Sequence, residues 1–364
     1  MRIFISILLL LHGLIHLFGF LKAFDFYEFE QLTQPISRSQ GVLWLLTAAL
    51  FGGVIVLYWV DAPVWFWVAF VAVFMSQGLI FTNWADAKFG TLANVVILVV
   101  AFLSWQAWRF EQVYKTDVLA GIERTAHLEE DLLTEADLQH LPAPVQRYLR
   151  YAGVVNQPKV HGFRALFEVE MRGKGQDWMA MVAEQHNFFD TNQRLFFLKA
   201  RVKGVPAQGY HRYKAQEASM EVKLLSVLPV AKASGPELFK AETVTFFNDM
   251  CILAPATLID KRIKWTPVDS NTVQAAFTNE GTTISARLFF NEEGQLVNFE
   301  SNDRYDINEM KQYKFTTPLS DYGAMGDYQL AKYGEAIWHY PDGPFVYGKF
   351  KIQEVAYNPK AIAR

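Results

Sequence analysis

The sequence predicts an α+β protein: four transmembrane α-helices followed by an antiparallel β-sheet domain, half-barrel-like, with one or two covering helices. Three observations carry this. Four apolar stretches in the first 110 positions each approach the ~20 residues that a helix needs to cross the hydrocarbon core. From Lys159 onward the hydrophobic period becomes two, the mark of half-buried strands. One helical stretch, from about Ser234 to Cys251, interrupts those strands. Charge follows the same division: of 34 Lys and Arg and 37 Asp and Glu residues, ten lie in positions 1–110. That distribution excludes a wholly soluble globular protein, a disordered chain and a fibrous rod. A net charge of -3 lacks the basic excess of a nucleic-acid binder, and a single cysteine, Cys251, excludes an internal disulfide or a cysteine-based metal cluster.

The expected spans run from Ile3 to Ala23, Gly41 to Val60, Val64 to Thr82 and Thr91 to Trp108, giving a transmembrane domain over residues 1–110. The first begins with Arg2 and a leucine run like a secretory signal, but its apolar stretch continues through Leu21 with no small-x-small cleavage site. Trp59, Trp65, Trp67, Trp84, Trp105 and Trp108 fall near the ends, where an amphipathic ring suits the headgroup level. Asp61-Ala62-Pro63 is a turn that makes the second and third spans a hairpin. Arg2, Arg109, Lys115 and Arg124 on the terminal side stand against Lys22, Arg38 and Lys88 opposite, a difference of one charge that sets no orientation.

Within the first span, His12 and His16 share one helix face with Gly19 and Ala23. Ionisable side chains at that depth are costly and mark something by default. Neutral imidazole is a good ligand, so one reading is a haem or metal site or a proton relay. The preferred reading is an intramembrane polar pair that hydrogen-bonds Gln77, Asn94 or Ser76 on neighbouring helices, with Gly19 and Ala23 permitting close approach. A metal needs further ligands, and no other span holds His, Asp, Glu or Cys.

Residues 111–158 read as a linker with short helices, its first part being a linker or an amphipathic helix that leaves the bilayer. The stretch becomes polar through Glu111, Lys115, Asp117, Glu123 and Arg124, then acidic at Glu129-Glu130-Asp131. Thr134 and Asp137 have capping-box spacing, and Pro144 opens a helix carrying Val145, Tyr148, Leu149 and Ala152 that Gly153 ends. Arg147 and Arg150 are its solvated face. Residues 159–364 form the β-rich domain. Alternation is clear in Phe163 to Met171, Phe196 to Val202, Ala218 to Leu224, Val273 to Phe277 and Ile284 to Phe290. Later strands are expected near Leu296 to Glu300, Tyr313 to Thr317, Tyr328 to His339 and Phe345 to Tyr357. Short connections make an antiparallel meander whose apolar face must be covered, and the helix starting at Ser234-Gly235-Pro236, with Phe239, Phe246, Met250 and Leu253 on one side, is available to cover it.

Catalytic signatures are absent from the sequence: Gly173-Lys174-Gly175 lacks the rest of a nucleotide loop, and there is no Gly-x-Ser-x-Gly elbow or His-Glu-x-x-His. Glu242 and Asp249 lie about 10 Å apart along a helix, too far for a glycosidase pair, and read as solvation or capping of that helix. Lys199, Arg201 and Lys203 alternate on one strand face and could attract anionic groups, although a polar outer face explains them. His186, His211 and His339 fall on different strands and each reads as a surface or cross-strand histidine.

The stretch Leu141-Pro142-Ala143-Pro144-Val145-Gln146-Arg147-Tyr148-Leu149-Arg150-Tyr151-Ala152-Gly153 resembles the opening of an uncharacterised bacterial family carrying a domain of unknown function. Three later stretches are similar to it as well: Ala241-Glu242 through Pro255 to Leu258, Arg287 to Phe290 through Gly294 and Phe299, and Gly334 to Trp338 through Pro341 to Phe345. Some members also resemble this chain in a His-Gly-x-x-His first span. The hairpin from Phe290 to Tyr305 resembles those of bacterial lipoprotein carriers and related lipid-binding half-barrels. The first resemblance implies no established activity, so it carries over no catalytic residue.

The function expected is a membrane-tethered domain, in the bacterial plasma (inner) membrane, that binds an apolar or amphiphilic ligand, lipid above all, without chemistry of its own. Phe167, Phe196, Phe277 and Phe290 are the expected cavity liners, since each falls on the apolar side of its strand. No catalytic residue, cofactor or metal is expected, and the expected partner is membrane lipid, not nucleic acid. The alternatives are an enzyme acting on a lipid or quinone, using some of His186, His211, Glu242 and Asp249, and a structural or sensory membrane component.

Overall fold

A computed structural model describes residues 2–129 and 131–362, so Glu130 of the acidic run lies outside the described residues. The chain divides into two compact units, Met1–Phe110 and Glu111–Arg364. The first holds α1 (Arg2–Ala23), α2 (Arg38–Trp59), α3 (Trp65–Thr82), the turn α4 (Trp84–Ala87) and the start of α5 (Gly90–Thr125). Four of these, α1, α2, α3 and α5, are long and apolar enough to cross a membrane. Of the two readings of the stretch after Trp108 the helix holds: α5 continues seventeen residues past Trp108 without a break, because no proline interrupts it.

Side-chain size sets the packing of α1 against α2. A Cβ built on Gly19 would lie 2.4 Å from the Trp44 ring, and one on Gly41 would lie 2.4 Å from the Ala23 Cβ. Two small residues therefore let the backbones approach, each opposite a larger partner. Ser37 caps α2, accepting from the Gln40 amide while the Gln40 side chain accepts from the Ser37 amide. On the buried stripe of α1, His12 Nε2 is 2.9 Å from Asn94 Oδ1 and 3.2 Å from Ser76 Oγ, and His16 Nε2 is 3.0 Å from Ser76 Oγ. His16 Nδ1 donates to the His12 carbonyl at 2.8 Å, so His16 Nε2 accepts from Ser76. Asn94 passes the chain on to Gln77, and Gln77 to Thr91.

The second unit is built on one large, open, antiparallel sheet. Its strands are β1 (Gly162–Met171), β2 (Met179–Phe188), β3 (Gln193–Val202), β4 (Val205–Lys214), β5 (Glu217–Leu224), β6 (Leu228–Ser234), β7 (Ile263–Pro267), β8 (Thr272–Asn279), β9 (Thr282–Phe290) and β10 (Leu296–Ser301). A small hairpin, β11 (Tyr305–Asp306) with β12 (Lys311–Gln312), precedes β13 (Lys314–Met325), β14 (Tyr328–Tyr340) and β15 (Gly343–Tyr357). Among the described residues thirteen strands join in the order β6-β5-β4-β3-β2-β1-β15-β14-β13-β10-β9-β8-β7. Neighbours in space are neighbours in sequence except at two places: β10 pairs with β13 across the small hairpin, and β1 pairs with β15, placing Phe163 opposite Tyr357. Asn358 reinforces that seam, accepting from the His161 amide at 2.8 Å and donating to the Lys159 carbonyl at 2.9 Å.

The helix α8 (Pro236–Leu253) is the expected covering helix, with the sheet curled around it. Leu238, Phe239, Val244, Phe246, Phe247, Met250 and Leu253 are buried all round it, so it lies within the core. Phe247 stacks on Phe277 of β8 with centroids 5.4 Å apart. The helix α7 (Ala143–Ala152) closes the same core, Tyr148 donating to the Cys251 carbonyl at 2.7 Å, and Gly153 ends it at φ 76°. Thr134 and Asp137 form the expected cap at the start of α6 (Glu135–Leu138). Arg147 is not merely solvated: it donates to Asn271 Oδ1 at 2.6 Å and the Ser270 carbonyl at 2.8 Å, pinning the β7–β8 turn.

Substituting Gly19→Ala should lower the unfolding temperature of the detergent-solubilised chain, with a loss of about 1–3 kcal/mol from overpacking against Trp44. Gly78→Ala, where a Cβ meets nothing within 4 Å, should change it little. Equal responses at the two positions would refute the close-approach account.

Candidate functional site

The strands β2, β3 and β4 are covered on both faces, and each face carries its own polar cluster. Their register fixes the division: Asn187, Arg194 and Tyr213 align across the three strands and face α8, as do Gln185, Phe196 and His211. His186, Leu195 and Arg212 face the opposite way, as do Glu184, Phe197 and Tyr210.

On the inner face Arg194 sits between the two carboxylates of α8. Its Nε donates to Asp249 Oδ2 at 2.8 Å, its Nη1 to Glu242 Oε2 at 3.1 Å, and its Nη2 to Gln185 Oε1 at 3.3 Å. Gln185 and Asn187 also donate to Asp249 Oδ2, at 2.7 and 3.1 Å, and His211 Nδ1 lies 3.4 Å from Glu242 Oε1. The arrangement replaces the expected solvation of Glu242 and Asp249: residues two helical turns apart are bridged by one guanidinium, whose span matches their spacing. Burial alone would raise the Glu242 pKa, but Arg194 and His211 outweigh it and bring it down to about 2. Asp249 goes the other way, since burial outweighs Arg194, Asn187 and Gln185. One cation lies between two carboxylates, so their ionisation is coupled. A carboxylate so placed serves as a counter-ion at neutral pH.

On the outer face, the Glu111–Thr125 part of α5 lies over the sheet. Asp117 accepts from Tyr210 at 2.9 Å, Arg212 at 2.7 Å and Lys214 at 3.1 Å. Tyr114 stacks on Phe197 at 5.1 Å and bonds His186 Nδ1 at 2.8 Å. Lys199 pairs with Glu111 at 2.7 Å, so part of the basic strand face is neutralised within the chain. His186 is therefore fully buried instead of superficial, and burial together with the Arg164 charge holds its pKa down to about 3.

Of the four residues weighed for catalysis, His211, Glu242 and Asp249 converge through Arg194, while His186 lies across the sheet. His339 makes a cross-strand contact with Thr316 at 2.9 Å. Arg194 escaped notice in the sequence, although a signal existed: it occupies the same strand parity as Phe196, Leu198 and Ala200, an arginine in an apolar stripe. Among the described residues, no three His, Cys, Asp or Glu side chains converge as a metal site would require.

The four expected liners are all buried on the inner face. Phe277 and Phe290 pack against the helices, on Phe247 and on Tyr148. Phe167 contacts Phe196 and Phe350, each at 6.3 Å, where the packed core gives way to a half-buried apolar surface. That surface runs through Met220 and Ala233, Ala200, Met179 and Met171, all partly exposed. Across β15 and β14 it meets Gly348 and Ala336, both buried, since Met171 pairs with both Met179 and Gly348, and Gly348 with Ala336; a Cβ at Gly348 would lie 2.8 Å from the Phe350 ring. A separate open pocket of about 530 Å³ beside the start of α8 has a polar rim that includes Glu217, Ser219, Ser234 and Glu280.

Fold and site together define a β-rich domain enclosing a helix and following four apolar helices. The chain belongs to a family of unknown function, DUF6544, whose model matches residues 131–350. That match spans the stretches from Leu141 to Phe345 that carry the family resemblance. No curated protein sequence matches the chain. Among solved structures, it is similar to a LolA superfamily protein from Nitrosomonas europaea, with 7% identity, 59% of this chain and 92% of that one covered, and a TM-score of 0.35. It is also similar to a beta-barrel-like protein of a domain of unknown function, DUF1849, from Brucella abortus, with 9% identity, coverage of 55% and 98%, and a TM-score of 0.22.

Replacing Arg194 by Met should destabilise the protein by about 3–5 kcal/mol, because it leaves two buried carboxylates facing each other. Adding Glu242→Gln and Asp249→Asn to that variant should restore part of the loss, which thermal melts of the three proteins would reveal. A pH profile tests Glu242 separately. Its folded pKa lies below its ordinary 4.5, so its contribution is complete above pH 4.5 and disappears as pH falls towards about 2. The stability of Glu242→Gln should fall less steeply over that window than that of the wild type.

Proposed function

We propose that this is a multi-pass protein of the bacterial plasma membrane whose β-rich domain binds an apolar or amphiphilic ligand, with membrane lipid as the supply. The observation that supports the reading is the uneven filling of the inner face. Where α8 and α7 lie, rings are packed to closure; beyond Phe167 and Phe196, a strip of methionine and alanine, Met171, Met179, Ala200, Met220 and Ala233, remains half-buried. Methionine side chains adapt to irregular apolar partners, and small residues leave depth above the sheet. A surface of this kind inside a curved sheet favours an acyl chain over water. Phe167 and Phe196 form its wall, while Phe277 and Phe290 belong to the packed floor that holds the sheet open. The four apolar helices of the same chain keep the domain in reach of lipid wherever they are inserted.

Protein extracted in a mild detergent should carry lipid that native mass spectrometry detects, and should bind a fluorescent fatty acid. Ala200→Trp, which fills the strip, should weaken that binding by about tenfold, equivalent to the ~1.4 kcal/mol that overpacking readily costs. Ligand-free protein that also ignores the fluorescent probe would refute the proposal.

A further inference from the structure

The loop after β10 carries an arginine, Arg304, that among the described residues forms no ion pair, although its charge helps to hold the Glu242 pKa down. The guanidinium carbon of Arg304 lies 4.2 Å from the Phe315 ring centroid, 4.8 Å from that of Trp338 and 5.7 Å from that of Tyr347. Its Nη1 donates to the Tyr347 hydroxyl at 2.7 Å. Its Nε is buried and, among the described residues, has no acceptor. The adjacent carboxylates are otherwise engaged. Asp303 accepts from the Ser285 amide and hydroxyl, at 2.7 and 2.9 Å, and pairs with Lys240 at 3.3 Å. Asp306 accepts from the Tyr340 hydroxyl at 2.6 Å and the Asn308 amide at 2.8 Å. Arg194 is ion-paired to two carboxylates, whereas Arg304 lies among three aromatic rings and acts on Glu242 without a direct contact.

Aromatic faces stabilise a guanidinium, but they accept no hydrogen bond in the plane of the fork. With Nη1 turned to Tyr347, the Nε–Nη2 edge is the one left for a planar or tetrahedral anion to engage with two parallel bonds. The position of that edge matters. Phe315 pairs with Trp338 across β13 and β14, and Trp338 lies two residues beyond Ala336, where the methionine and alanine strip ends. An apolar strip terminating at an unpaired arginine has the pattern of an amphiphile: a chain, then an anionic head.

We propose that Arg304 binds the anionic head, a carboxylate or phosphate, of an amphiphile whose chain occupies the Met171–Met179–Ala200 strip. This rests on the lipid-binding reading and narrows it to acidic amphiphiles. The test compares three probes of equal chain length on the full-length protein in a neutral detergent: palmitate, hexadecyl phosphate and uncharged hexadecanol. Palmitate or hexadecyl phosphate should bind at least about tenfold more tightly than hexadecanol, as a charge-assisted pair implies. In R304Q that preference should vanish, with palmitate and hexadecyl phosphate losing at least about tenfold more affinity than hexadecanol. Equal binding of all three by the wild type would overturn the head-group assignment and leave the lipid reading standing. Binding of none would overturn both. A preference that survives in R304Q would remove Arg304 from the site. Displacement of palmitate by inorganic phosphate or acetate at the same concentration would show a small-anion site in place of a lipid one. The wild-type comparison needs no variant, so a misfolded R304Q leaves the test intact.

Discussion

A helix buried on every side has to bring its polar groups into the interior with it, and α8, between the sheet and α7, brings Glu242 and Asp249. Their burial is tolerable only because Arg194 reaches both, at 3.1 and 2.8 Å, and because Gln185, Asn187 and His211 surround them. Two uncompensated carboxylates would otherwise oppose the aromatic contacts that Phe246 and Phe247 make with the sheet. The same cluster specifies rotation: turning α8 by one residue would point both carboxylates at apolar strands. Hydrophobic burial supplies the driving force for this core, and the ion cluster determines which way the helix faces.

The opposite side of β2 to β4 solves a matching problem. A sheet this wide has two faces, and here the outer one is apolar at Phe188, Leu195, Phe197 and Tyr210. The last turns of α5 cover it, with Gly121 against Phe188, since a Cβ there would lie 2.2 Å from the ring. Asp117 then receives Tyr210, Arg212 and Lys214, so the charged rim of the strands closes over the helix. Two helices on opposite faces thus hold β3 between them, and six consecutive residues of β3, Gln193 to Leu198, are buried.

Much of this was legible in the sequence, for reasons that also explain what was not. Long apolar stretches announce the helices of the first unit, and strands with one apolar face, such as Ile284 to Phe290, announce themselves by alternation. The strands β2 and β4 gave no such signal. Their inner faces carry Gln185, Asn187 and His211 opposite the carboxylates of α8, and their outer faces carry Phe188 and Tyr210 under α5, so both the polar and the apolar positions are displaced from the usual pattern. The end of α5 could be read as a linker as well as a helix because Glu111, Asp117 and Arg124 have partners some 66 to 97 positions away. Glu242 and Asp249 were visible singly; what joins them, Arg194, is 48 and 55 positions distant. Contacts of that separation leave no periodic trace.

The pairing of β1 with β15 governs when the domain can exist during synthesis. Both wings of the sheet are local meanders and can form hairpin by hairpin as the chain emerges. The seam between them joins Phe163 to Tyr357, nearly two hundred positions later, so the central hydrogen bonds wait for the last strand to leave the ribosome. Until then β1 is an unpaired edge with Ala165, Phe167 and Val169 on its apolar side. The interval in which this chain is most exposed to wrong partners is therefore set by translation rate, and premature termination anywhere before β15 removes the middle of the sheet instead of its margin.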